Sequence, residues 1–333
     1  MKKHEPILKT NWERYHAHFT IDQITLKRLL QPYSTSKVTN MMLLSEGCGN
    51  SNYKVEFITG QPVVLRIYLR EKSSLSREIA LHKLLANQLP VPEIFYSDDN
   101  CTVIDHPYAI MQFVDGELMR NIILSKDEPS IKECSFSAGI YLNNLRNIKH
   151  SHGGFFQDRN LTVRSFNHDE EYLPYAYSCL DNKNVIESLG AQRVDHLRFF
   201  LEESKHFLPN TSEANLTHAD YDPTNMLVKK TGGYYQVAAI LDWEFAYFGS
   251  YLMDIGIFLR YSHKLPKIHE KNFIEGIVSK DNPLPENWKK SAKLLDIICL
   301  LSLLCCNSKK SRPNLSADVT LLIQNTLDNW HLY

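Results

Sequence analysis

Net charge is almost absent from this chain of 333 residues: 37 basic side chains stand against 38 acidic ones, a formal charge of −1. Nucleic-acid binding calls for a basic excess or a basic stripe. Neither occurs, so the balance points to a small-molecule or neutral partner and away from nucleic acid. Cysteine is sparse and unpatterned. Cys48, Cys101, Cys134, Cys179, Cys299, Cys305 and Cys306 are odd in number, irregularly spaced and free of any C-x-x-C. That excludes a disulfide framework and a cysteine zinc site, and it fits a reducing compartment. No apolar region follows the opening MKKHEPILKT, so no secretory signal is expected. The most apolar run, 294–306, contains Asp296 and is too short for a bilayer. It is expected as a buried helix. The expected setting is cytoplasmic, with no membrane contact. Internal repeats and flexible linkers are missing as well.

What is present suffices for two lobes, each with its own core, at 43% hydrophobic and 23% charged residues. Residues 41–114 read mostly as strands: 41–44, 53–58 and 63–69, then two more around the turn at 98–100, the last being 108–114. A helix is expected from Ser74 to about Asn87, with Leu75, Ile79, Leu84 and Leu85 on one face. The sum is a five-stranded antiparallel sheet carrying one helix. Asp115-Gly116 breaks the pattern, and beyond it the chain turns helical. Ile131, Cys134, Ala138, Leu142 and Leu145 recur at helical spacing, and Leu315, Val319, Leu322 and Thr326 do so in the tail. The expected fold class is α+β and bilobal. Residues 1–115 form a first lobe with an N-terminal helix, and 116–333 form a mainly helical second lobe, with a hinge between them.

Within the second lobe, LTHADYDPTNMLV at 216–228 holds His218-x-Asp220 and, five residues on, Asn225. ILDWEFAYFG at 240–249 puts Asp242 where an apolar strand, 237–241, runs out. An Asp, a following Asn and a second Asp at a strand end are what Mg²⁺-dependent phosphoryl transfer uses. One carboxylate receives the proton of the attacking hydroxyl, while an amide and another carboxylate hold the metal on the phosphates. Asp220 is the candidate base, with Asn225 and Asp242 as candidate metal ligands. His218 is expected to brace the loop through hydrogen bonds instead of moving protons. The first motif alone can arise by chance, and the second Asp at a strand end separates it from turn chemistry.

The upstream lobe should supply the nucleotide clamp. Glu46-Gly47-Cys48-Gly49-Asn50-Ser51-Asn52 lies between two strands, where small residues let backbone N–H groups approach phosphates. Gly49, Ser51 and Asn52 are the candidates there, against the plainer reading of a hairpin turn. Arg66 sits inside the strand VVLRIY and needs a partner. Glu78 on the next helix is the natural one, unless Arg66 faces solvent. Gln112 to Val114, ending the last strand, would offer backbone groups to an adenine edge. No G-x-x-x-x-G-K-[ST] occurs, which excludes a P-loop kinase.

The chain resembles the aminoglycoside phosphotransferase and choline kinase-like family, which has the bilobal protein-kinase-like fold. The resemblance is carried by His218-Ala-Asp220-Tyr-Asp-Pro-Thr-Asn225, by Leu241-Asp242-Trp243-Glu244, and by Gly249 with Asp254. Gly49 to Asn52, Val64-Leu65-Arg66, Arg77-Glu78 and Val114-Asp115-Gly116 support it. It implies Asp220 as catalytic base, Asn225 and Asp242 on Mg²⁺, Arg66 and Glu78 as the pair clamping ATP (or GTP), and Asp254 as a brace beneath the catalytic loop. Two departures stand out. Arg66 replaces the usual strand Lys, and the planar guanidinium is not interchangeable with an ammonium. Tyr221 and Asp222 follow the catalytic Asp where the family often has smaller residues.

Asp242 is followed by Trp243-Glu244 instead of Phe-Gly, and no Ala-Pro-Glu occurs downstream. A protein substrate is therefore not expected. The acceptor is a small-molecule hydroxyl, with aminoglycoside-like antibiotics as the leading class. Asp222, Glu244, Asp158 and the run 169–171 are the acidic residues that would meet such a polycation. Tyr221, Trp243 and other aromatic residues would instead suit choline by cation–π attraction, or simply pack the core. Phe155-Phe156 is a candidate substrate wall. Metabolic kinases for choline, an amino alcohol or a sugar are the alternative, as is a nucleotide-binding scaffold without turnover.

Overall fold

The computed structural model describes residues 7–44, 49–71, 73–210, 212 and 214–333. A short helix α1 (Gln23–Leu30) precedes five strands: β1 (Val38–Leu44), β2 (Ser51–Phe57), β3 (Val63–Ile67), β4 (Ile94–Asp98) and β5 (Tyr108–Gln112). They form one antiparallel sheet in the order β1-β2-β3-β5-β4. Strand β2 alternates strictly, with Tyr53, Val55 and Phe57 turned inward, so one face is apolar. Leu26, Leu29 and Leu30 of α1 cover that face. Asp22 starts the helix by accepting the N–H groups of Ile24 and Thr25.

The opposite face carries α2 (Ser74–Leu85). Its buried stripe is Leu75, Glu78, Leu81, His82 and Leu85, and Leu84 is 40% exposed. The expected apolar face therefore rotates by part of a turn, because spacing by three and four from Leu75 runs through Leu81 and Leu85. Leu75 packs on the sheet, while Leu81 and Leu85 join the core of the second lobe. One helix thus belongs to both cores.

Beyond β6 (Glu117–Leu118) come α3 (Met119–Leu124) and α4 (Glu128–Leu145), strands β7 (Gly154–Phe156) and β8 (Val163–Ser165), and helices α5 (Tyr172–Leu180), α6 (Lys183–Leu189) and α7 (Ala191–Ser204). Strand β9 (Asn215–Thr217) leads through the 218–225 loop to the hairpin β10 (Met226–Thr231) and β11 (Tyr234–Ile240). Then follow β12 (Tyr247–Gly249), α8 (Leu252–Phe258), α9 (Lys267–Val278), α10 (Trp288–Cys305) and α11 (Pro313–Asp328). Two small antiparallel sheets, β11-β10-β6 and β8-β7-β12-β9, frame the loop. Helix α10 is buried on most sides, through Leu294, Leu295, Ile297, Ile298, Leu300, Leu301 and Leu304. It is the central helix of the lobe, as its apolar run requires. Among the described residues no helix is long and apolar enough to cross a membrane.

Helices α4 and α9 approach through glycine. A Cβ at Gly139 would lie 2.1 Å from Phe273 O, and one at Gly276 2.2 Å from Phe136 O. Only hydrogen fits at those two crossings.

The start of the chain departs from the expectation that residues 1–115 make up the first lobe. Leu8 is buried in the core of the second lobe. Trp12 Nε1 donates to Asp318 Oδ2 at 2.9 Å, and Glu13 accepts the N–H groups of Asn314 and Leu315 at the start of α11. An acidic side chain at a helix N-terminus is favourable. Arg14 then donates to the carbonyls of Asn50 and Gly49, and Ser51 Oγ accepts Phe19 N–H. The segment 7–19 therefore straps one lobe to the other.

Candidate active site

The 218–225 loop takes its shape from α8 beneath it. Asp254, fully buried, accepts His218 N–H at 2.8 Å and Ala219 N–H at 2.9 Å. Burial pushes its carboxyl up to about 7, against the pull of those two donors. The bonds hold Ala219 in the left-handed region at φ 63°, which costs a non-glycine residue roughly 1–2 kcal/mol. His218 adds a cross-link. Its Nδ1 accepts Asp220 N–H at 3.2 Å, and its Nε2 donates to Leu241 O at 2.9 Å. Those partners define the neutral tautomer, and burial lowers its pKa. The imidazole ties the loop to the end of β11.

Asp220 stands on this frame facing the cleft between the lobes. Asn225 Nδ2 donates to its Oδ2 at 2.7 Å and to its backbone carbonyl at 3.0 Å. Lys9 Nζ lies 2.9 Å from Oδ1 and 3.3 Å from Asp222 Oδ2. Burial works against ionisation of Asp220. The Lys9 charge and hydrogen bond, with help from Asn225, outweigh it and hold the carboxyl down at about 2. A carboxylate oxygen can accept more than one hydrogen bond, so a hydroxyl can still approach this one. Lys9 was not marked by the sequence. It lies 211 residues from Asp220, in a segment without periodicity or motif.

Asp242 follows β11 directly and is itself left-handed, at φ 62° and ψ 60°. Its Oδ1 pairs with Arg66 Nη1, and Arg66 Nη2 lies 3.7 Å from Glu78 Oε2. Glu78 is fixed in turn by the Tyr68 hydroxyl at 2.6 Å and by His82 at 3.6 Å. Arg66 is 5% exposed, which removes the solvent-facing alternative. Burial opposes its charge, but Glu78 and Asp242 outweigh that and raise its pKa. Its Nε and Nη2 are buried without a hydrogen-bond partner among the described residues. Buried donors in that state cost about 1–3 kcal/mol each and call for an acceptor.

A cavity of about 1530 Å³ runs past all of these groups. On the first-lobe side Gly49, Asn52, Val64, Gln112 and Val114 line it, and Leu227 of β10 lines it from the second lobe. Gln112 N–H already goes to Glu93 O, whereas Val114 makes no backbone hydrogen bond among the described residues. Ser51 lies away from the cavity, fully buried and bonded to Phe19, so its expected place near phosphates is corrected. Glu46, Gly47 and Cys48 fall outside the described residues.

On the second-lobe side Phe155 and Phe156 line the cavity, in keeping with the candidate wall. Three residues expected at the acceptor mouth lie in the interior. Tyr221 is interior, its hydroxyl donating to Ala138 O, and Trp243 is interior, its Nε1 donating to Ile240 O. Large rings beside a catalytic loop are drawn into the core because burying them is worth more than exposing them. Asp222 is fully buried and caps the turn through Thr224 N–H and Oγ1. Glu244 does line the cavity, 3.7 Å from Arg70. Burial pushes it up to about 7, with Arg66 opposing and Asp242 adding. Asp158 folds back on Asn160 and Thr162, and Glu170 is bonded to Arg164.

The family model described as "Phosphotransferase enzyme family" matches residues 41–289. A Mus musculus protein, acyl-CoA dehydrogenase family member 10, is 23% identical over 236 residues, 69% of this chain and 21% of its own length. The chain thus spans about a fifth of that curated relative. Among solved structures, the GDP complex of aminoglycoside 2'-phosphotransferase-IIIa is similar at a TM-score of 0.70 and 15% identity, over 93% of this chain and 100% of that one. A thermostable mutant of aminoglycoside phosphotransferase APH(4)-Ia, in ternary complex with AMP-PNP and hygromycin B, gives 0.62 and 17%, over 90% and 97%. At such identities the likeness is one of fold.

Proposed function

The chain belongs to the phosphotransferase enzyme family, and on that premise we propose that it transfers the γ-phosphoryl group of ATP to a hydroxyl of a small molecule. One observation carries the reading: Asp220, Asn225, Asp242 and Arg66 line a single cavity between the strand-rich and the helical lobe. Arg66 in particular keeps two buried donors, Nε and Nη2, without a hydrogen bond among the described residues, and phosphate oxygens are acceptors of the right charge for a guanidinium. In this reading the division at 115/116 separates a nucleotide-clamping lobe from the lobe that presents the acceptor, with Val114 offering main-chain groups to the base. GTP is the other donor to test.

Asn225 and Asp242 are the residues that would hold Mg²⁺. They fit it. Both hydrogen bonds of the Asn225 side chain are made by its NH₂ group, which leaves the amide oxygen for a cation. Mg²⁺ takes few protein oxygens and completes its shell with phosphate and water. Bound there, it would neutralise phosphate charge. The work of the chain itself is positional. Arg66, held by Glu78 and Asp242, grips the phosphates, and Asp220 orients the acceptor hydroxyl. The hydroxyl oxygen bonds to the γ-phosphorus as the bond to the ADP oxygen breaks, and its proton passes to Asp220 Oδ1 or Oδ2. Lys9 keeps that carboxylate ionised beforehand.

Transfer from γ-labelled ATP tests the assignment with Asp220→Asn. Loss of a general base typically costs about 10²–10⁴-fold in rate. Nucleotide affinity by calorimetry should stay within about twofold, under ~0.5 kcal/mol. Undiminished turnover in the variant would remove Asp220 from the reaction.

A further inference from the structure

We propose that the acceptor is an uncharged, bulky and largely apolar alcohol, bound in the arm of the cavity that leads from Asp220 between β7, β12 and α10. The proposal rests on the phosphotransferase reading above and adds the substrate class. The size comes first. Drug-sized pockets run to about 300–1,000 Å³, and this cavity of about 1530 Å³ has room for a nucleotide and a bulky second ligand together. The walls come second. Phe155, Phe166 and Tyr247 form a cluster with ring centroids 5.1, 5.5 and 5.9 Å apart. Met253, Ile298 and Leu303 continue the lining.

Charge decides the class. Each carboxylate at this arm already has a cation. Glu170 takes both Arg164 Nη groups, at 2.8 and 2.6 Å, and Asp220 takes Lys9, whose ammonium also meets the buried, non-lining Asp222. The cations are matched in the same way: Arg260, which also lines the cavity, is bonded twice to Asp296, at 2.8 and 2.6 Å. A polycation entering this arm would meet Lys9 and Arg260, and of the described carboxylates lining the cavity only Glu117, on β6 beside the hinge, has no ion pair. Burying its ammonium groups without carboxylates would be unfavourable. Arg164 lies 6.0 Å from the Phe155 centroid, a resident cation that would compete with a quaternary ammonium for that ring. What remains for specificity is polar but uncharged: the Tyr175 hydroxyl and Ser302 Oγ, bonded at 2.8 Å and both on the wall. Arg312, also on the wall, donates to Asn307 Oδ1 at 2.8 Å, and a hydroxy acid serves among the probes as the anionic comparison.

The test runs on the full chain in two parts. Binding of Nile red, an uncharged apolar dye, is measured with saturating MgATP, so that the nucleotide arm is filled. Displacement is then read with octyl β-D-glucoside, 2-naphthaleneethanol, kanamycin, choline and 10-hydroxydecanoate. The two uncharged alcohols should displace the dye at concentrations at least tenfold below kanamycin and choline, and below the hydroxy acid. Phe155→Asp, at a side chain 39% exposed, should weaken dye binding at least fivefold without changing MgATP affinity. No dye binding to the MgATP-loaded protein, tighter binding of kanamycin, choline or the hydroxy acid, or an unchanged Phe155→Asp variant would each overturn the proposal. Transfer of labelled phosphate to the same compounds is scored separately. Apolar binding without transfer would leave the pocket assignment standing and defeat the kinase reading.

Discussion

In the proposed reaction the chemistry turns on the pair Lys9 and Asp220, 2.9 Å apart. Because burial is the main influence opposing ionisation of Asp220, removing the ammonium leaves burial dominant and moves the carboxyl upward. The base must be ionised to take a proton, so a raised pKa costs activity on the acid side. Lys9→Met should therefore lose kcat/KM between pH 7 and pH 5 more steeply than the parent protein, in which Asp254 and Glu244 also titrate over that range. Superimposable profiles would mean that Lys9 does not tune the base. Arg66 allows a second test at this scale. A charged hydrogen bond contributes about 1.5–3 kcal/mol, so Arg66→Ala should weaken MgATP by roughly tenfold or more in calorimetry. It should weaken acceptor binding less, and the opposite order would move Arg66 out of the clamp. Both residues were unequally legible. Arg66 stands inside an apolar strand and draws attention by that alone, whereas Lys9 has no local mark and matters only because the chain brings it to Asp220.

Elements set the precision of the loop. Helix α8 supplies Asp254, and the helices around it are pinned by close crossings. Adding a methyl group at Gly276 would place it 2.2 Å from Phe136 O on α4, and overpacking of this kind typically costs about 1–3 kcal/mol. Gly276→Ala should lower the urea midpoint accordingly, whereas the positive-φ surface turn at Gly232 and Gly233, which glycine adopts without strain, has open space around it. A midpoint unchanged in Gly276→Ala would show that α4 and α9 can slide apart at little cost. The strands and helices themselves followed from local pattern. Alternation in β2 and the apolar stripe of α11 are short-range signals that tertiary packing had only to accept. The face of α2 was misplaced because a helix shared between two cores buries Glu78 and His82, polar residues that an apolar count passes over.

At the scale of the whole molecule, the segment 7–19 joins the two lobes across the cleft. Its anchor is the Trp12 bond to Asp318, a fully buried carboxylate that also accepts from the Tyr261 hydroxyl. Trp12→Phe keeps the ring and removes the donor, leaving Asp318 with one fewer partner, a loss of about 1–3 kcal/mol. Chemical denaturation should register it. Because the same segment places Lys9, the variant should also show part of the acid-side loss expected of Lys9→Met. Stability falling with no change in the pH profile would separate the strap from the chemistry.

The amino-acid order by itself marked the strands, the helices of the second lobe and the spacing of Asp220, Asn225 and Asp242, since periodicity and turn chemistry are short-range signals. Spacing along β10, β11 and the loop before them brings Asp220, Asn225 and Asp242 together almost automatically. Only the tertiary structure decided which side chains face the cavity. Tyr221 and Trp243 turned inward, Asp222 and Glu170 met cations, and Lys9 arrived from the far end of the chain. The physical reason is the same in each case: burial and charge pairing depend on neighbours distant in sequence, and local composition carries no record of them.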